Sequence, residues 1–220
     1  MSAEQAEIDV ETKSKGEDKG KGQNARELPT LLRSAVARKP FNELFAVSLD
    51  AHGFELIGDA LLDALEQRGF ALGGFDAVGA LTAAAVPMVT AVMHAARERG
   101  RELNGFVMDF VYPSIKGPSI SGRRVVLLDS WLSEKSYVQT SSLVTLRNGN
   151  ELSLDFSVVE HEGAEVVAIA SLIGGVSGDA DAGGIKVINP VSGEQRNLPF
   201  VTVFDEDGLR GGATEAEKTD

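Results

Sequence analysis

FDAVGALTAAAVPMVTAVMHAARERGRELNGFVM, residues 75–108, decides the fold class of this chain. Phe75 to Val78 is a short apolar run and Gly79-Ala80-Leu81-Thr82 reads as a loop; from Ala83 to Arg99, Val86, Val89, Val92, Met93 and Ala96 recur at helical spacing. Gly100 closes that helix, and Gly105 to Val111 supplies a second apolar run. Strand, glycine loop, helix, strand is a βαβ unit, and such units build a parallel sheet with helices on its faces.

The pattern continues on both sides. Downstream, a loop from Tyr112 to Gly122 leads into RRVVLLDSWLSEKSYV, residues 123–138, in which Val125 to Leu128 forms a strand that delivers Asp129 to its carboxyl end. Upstream, Leu28 to Arg38 reads as a helix with Pro29 in its first turn, and Phe54 to Arg68 as a second helix with Phe54, Ile57, Leu61, Ala64 and Leu65 inward and Gly69 as its stop. Beyond residue 140, Ser141 to Leu146 alternates like a strand. Glu151 to Glu162 fits either state; Leu152, Phe156 and Val159 favour a helix capped by Asn150 and stopped by Gly163. Glu165 to Ile173 is a strand, and Ile185 to Ile188 with Phe200 to Phe204 reads as a C-terminal β-hairpin. Ligands of such sheets bind beyond the carboxyl ends of the strands. Two loops fall at that edge: Gly79 to Thr82, and Ser130 to Tyr137.

Composition narrows the partners. With 33 acidic against 21 basic residues the net charge is −12, and no basic stripe is present to bind a phosphate backbone, so nucleic acid is not expected. Absence of cysteine rules out disulfides and thiolate metal sites, and His52, His94 and His161 stand too far apart to form a paired ligand motif, so no metal site is expected. No apolar run approaches the length of a membrane span, and the expected location is the cytoplasm. Residues 1–27 and 205–220 are charged and poor in large apolar side chains, which predicts disordered tails around a domain of residues 28–204.

From about Leu49 to Gly174 the chain resembles the orotate phosphoribosyltransferases, of the type I phosphoribosyltransferase fold. Residues 75–108, ISGRRVVLLDSW at 120–131 and EGAEVVAIASLI at 162–173 carry the resemblance. It implies an α/β fold with a central, mostly parallel sheet flanked by helices, and a homodimer or a complex with a related protein. It places a pyrophosphate-binding loop at Gly79, Ala80, Leu81 and Thr82. It also places the two acids of the binding signature for 5-phosphoribosyl 1-diphosphate (PRPP) on Asp129 and Ser130, the second near the ribose hydroxyls, and the cradle for the 5′-phosphate on residues 133–137, with Ser133, Lys135 and Ser136 as its binding residues.

Three elements depart from the family pattern. An Arg-Lys strand end falls on Asp109-Phe110 or close by. The mobile basic loop is shortened to residues 112–118, with Lys116 as its one cation, and the small-residue cradle contains Glu134, Lys135 and Tyr137. A cradle works by letting successive amides converge on phosphate oxygens, and these side chains oppose that in charge and bulk. The reading is a catalytically degenerate family member acting as a binding, regulatory or partner subunit, without cofactor. The alternatives are an active transferase using Asp129 and Lys116 with magnesium and PRPP, or a non-catalytic nucleotide or anion sensor. Trp131 and Tyr137 read as cover for an interface rather than as a base-stacking pair.

Overall fold

The computed structural model describes residues 26–36, 44–109, 112, 114–133, 144–147, 151–175 and 184–211. Helices α1 (26–36), α2 (Phe45–Ser48) and α3 (Ala51–Gln67) precede strand β1 (Ala77–Ala80). A 3-10 turn (Ala83–Ala85) leads into α4 (Val86–Glu98), followed by β2 (Asn104–Asp109), β3 (Ser114–Lys116) and β4 (Arg124–Ser133). The second half holds β5 (Val144–Arg147), β6 (Glu151–Leu154), α5 (Ser157–Glu160), β7 (Glu165–Gly175), β8 (Gly184–Ile188), β9 (Gln195–Asp205) and α6 (Glu206–Gly211).

The strands form one nine-stranded sheet in the order β3-β2-β1-β4-β7-β9-β8-β6-β5. Pairings β2-β1-β4-β7-β9 are all parallel, as the βαβ reading expects, and antiparallel pairing is confined to β2-β3, β8-β9 and β5-β6. β9 joins the two halves of the sheet. Its residues up to Pro199 pair antiparallel with β8, and Phe200 onward pairs parallel with β7. Proline, which has no ladder donor, stands where the partner changes.

Helices α3 and α4 cover one face. Asp50 caps α3 by accepting from the amides of His52 (3.1 Å) and Gly53 (2.9 Å), so the helix starts one turn before the periodic residues suggest. Gly69, at φ 88°, ends the turn after it in the left-handed region that favours glycine. Gly58 sits where the helices touch: a Cβ there would lie 2.3 Å from the Ala91 carbonyl oxygen. Gly58→Ala is therefore expected to destabilise the fold by about 1–3 kcal/mol by overpacking, although alanine is the better helix former. Urea unfolding of the variant checks this, and a stabilised Gly58→Ala would refute the close packing. Arg99, at the end of α4, fastens the pair by reaching Asp59 (3.0 Å) and Asp63 (2.9 Å) of α3.

Several sequence expectations need correction. Glu151 to Glu162 is not one helix: Glu151–Leu154 is strand β6, parallel to β8, and only Ser157–Glu160 is helical. Helix α5 is held to the chain before it by Asp155, which accepts from the Ser157 amide at 3.2 Å, so the turn starts after the strand ends. The hairpin is real, but Ile185 faces Leu198, and Phe200 to Phe204 belongs to the parallel part of the sheet. Ser114–Lys116, expected within a loop, is edge strand β3. Both tail boundaries shift as well. Arg26 and Glu27 are already in α1, and residues 206–211 form α6, with Leu209 buried in the main core. The other tail residues lie outside the described residues. Among the described residues no helix is long and apolar enough to cross a membrane.

Candidate functional site

The carboxyl ends of β1, β2, β4 and β7 meet along one edge of the sheet. Gly79 and Ala80 are not in the loop there; both are strand residues paired with β2 and β4. A Cβ on Gly79 would lie 2.2 Å from the ring of buried Phe106, so packing against β2 accounts for glycine at this position. The turn begins at Leu81, whose amide donates to the Leu128 carbonyl at 2.9 Å. Thr82 follows, buried and extended (φ −136°, ψ 163°), and its hydroxyl does not cap the 3-10 turn after it. That hydroxyl donates instead to Asp129 Oδ1 at 3.0 Å. The sequence-predicted pyrophosphate loop and the sequence-predicted acid are thus joined directly.

Asp129 is 2 % exposed. Its Oδ1 also accepts from the Ser130 amide at 2.7 Å, while Oδ2 meets no donor at hydrogen-bond geometry among the described residues. Burial pushes the carboxyl up to about 6, against the opposing effects of the Thr82 hydroxyl, the Ser130 and Trp131 amides and the Ser130 hydroxyl. Buried Ser171 of β7 stands in register with Asp129. Sequence reading missed it because it lies within the apolar run of β7.

Past Asp129 the chain does not turn away. β4 stays paired with β7 through Trp131↔Ile173, Leu132↔Gly174 and Ser133↔Gly175. Leu128 and Trp131 pack in one core cluster and Leu127 and Leu132 in the other, although residues an odd number apart on a strand should face opposite ways. The alternation therefore breaks between Leu128 and Trp131, around Asp129. Of the residues expected to bind PRPP beyond Asp129, Ser130 is buried and Ser133 ends the strand, while Lys135 and Ser136 lie outside the described residues, as do Glu134 and Tyr137.

Lys116 is not brought to Asp129. It is in register with Val107, which is in register with Ala80, and Ala80 with Leu128. Three strand spacings separate the two backbones, about 14 Å. The Lys116 ammonium lies 3.5 Å from Asp109 Oδ2, so the acid of β2 expected where the family has its Arg-Lys pair is matched with the lysine expected in the basic loop. Asp109 also accepts from the Tyr112 amide at 3.1 Å, which ties the start of this connection to β2.

Trp131 is neither an exposed interface residue nor a stacking platform. It is 4 % exposed, and its indole Nε1 donates to Glu206 Oε2 at 3.2 Å. Glu206 Oε1 accepts from Arg210 Nε at 2.8 Å, and the Arg210 guanidinium lies 5.4 Å from the Trp131 ring centroid. The spacing of Glu206, Leu209 and Arg210 is that of a short amphipathic helix with an i,i+4 ion pair, the signal that could have revealed α6. Among the described residues no group of three or more His, Cys, Asp or Glu is placed to hold a metal ion.

No family model matches the chain. Curated relatives do. An orotate phosphoribosyltransferase of Streptomyces avermitilis is 30% identical over 184 residues, covering 81% of this chain and 86% of the relative. That of Streptomyces coelicolor is 31% identical over the same shares. The chain belongs to the orotate phosphoribosyltransferase family. A solved orotate phosphoribosyltransferase from Mycobacterium tuberculosis, in complex with PRPP, superposes with a TM-score of 0.55 at 23% identity, over 85% of this chain and 92% of that one. The orotate phosphoribosyltransferase relationship and the type I phosphoribosyltransferase fold expected from residues 49–174 therefore hold.

Proposed function

We propose that this member of the orotate phosphoribosyltransferase family does not perform PRPP-dependent transfer and acts in the cytoplasm as a binding, regulatory or partner subunit, in a homodimer or with a related protein. The observation that carries the reading is the course of β4. A phosphate cradle needs small residues whose amides converge on the anion; here the residues after Asp129 remain in the sheet with Trp131 and Leu132 buried. Lys116 adds to it, because a cation paired with Asp109 is poorly placed to offset charge on a departing pyrophosphate.

Orotate, PRPP and magnesium mixed with the purified chain are expected to yield no orotidine 5′-monophosphate above the rate without protein. Turnover abolished by Asp129→Asn would overturn the proposal. One observation favours the second reading, an active transferase using Asp129, Ser130, Ser133, Lys135 and Lys116: Asp129 Oδ2 has no hydrogen-bond partner among the described residues, as an atom awaiting a ligand would be. In that case magnesium would arrive with PRPP as substrate, needing only one or two protein carboxylates. Calorimetry with magnesium and PRPP separates the two.

A further inference from the structure

We draw no further inference here: the strongest candidate, the side-chain cluster of Thr82, Asp129 and Ser171 buried at the carboxyl edge of β1, β4 and β7, belongs to the site already described.

Discussion

Trp131→Ala is expected to lower the unfolding free energy by about 3–5 kcal/mol, the range for emptying a buried aromatic site. The indole is nearly inaccessible, lies within the main core cluster, and carries the hydrogen bond that secures Glu206. Truncation removes packing for β4 and strands the Glu206–Arg210 pair beside a cavity. Trp131→Phe isolates the polar part: it retains most of the ring volume and loses the N–H, for a loss of roughly 1.5–3 kcal/mol, the worth of a hydrogen bond to a charged group. Urea unfolding followed by circular dichroism measures both. If alanine and phenylalanine variants were equally stable, the indole would not be packed as described; a loss below 1 kcal/mol for alanine would contradict its burial.

Asp129→Asn should abolish the pH dependence that the native carboxyl imposes. The folded carboxyl is raised from 3.8 to about 6 because burial penalises its charge. The folded state therefore holds the proton more tightly than the unfolded one. Its contribution to stability is fully present below about pH 4 and is lost as pH rises through 6. Two units at roughly 1.4 kcal/mol each give a loss of about 3 kcal/mol by pH 7.5, as an upper estimate. Asparagine preserves an oxygen for the Thr82 hydroxyl and the Ser130 amide without the buried charge. Relative to the native chain, the variant should gain stability between pH 4 and pH 7.5, measured by urea unfolding at both. An unchanged difference would mean that Asp129 titrates alike in both states. A change of opposite sign would mean that a cation pairs with it.

These expectations rest on contacts of different legibility. The βαβ unit of residues 75–108, the stop of α3 at Gly69, and the strand leading to Asp129 could be read because they depend on neighbours a few positions apart in the chain. Glu151 to Glu162 was misread for the same reason: its apolar residues satisfy a helical period locally, and pairing of β6 with β8 over thirty residues away overrides it. Gly79 looked like a loop glycine because nothing in its vicinity announces Phe106 across the sheet.

By itself the sequence determined the parallel sheet, the order of its first elements, the family, and the placing of Thr82, Asp129 and Ser130 at one edge. Periodicity and punctuation by glycine and proline are local properties of the chain, and they survive without knowledge of the contacts. Only the tertiary structure decided that β4 runs on to Ser133, that Lys116 spends its charge on Asp109, and that residues 206–211 dock as α6. Thr82 meets Asp129 across 47 positions and Trp131 meets Glu206 across 75. Burial of the Asp129 carboxyl, and with it the protonation state, follows from that packing. Desolvation is a property of everything that surrounds a group, and a linear pattern carries no record of it.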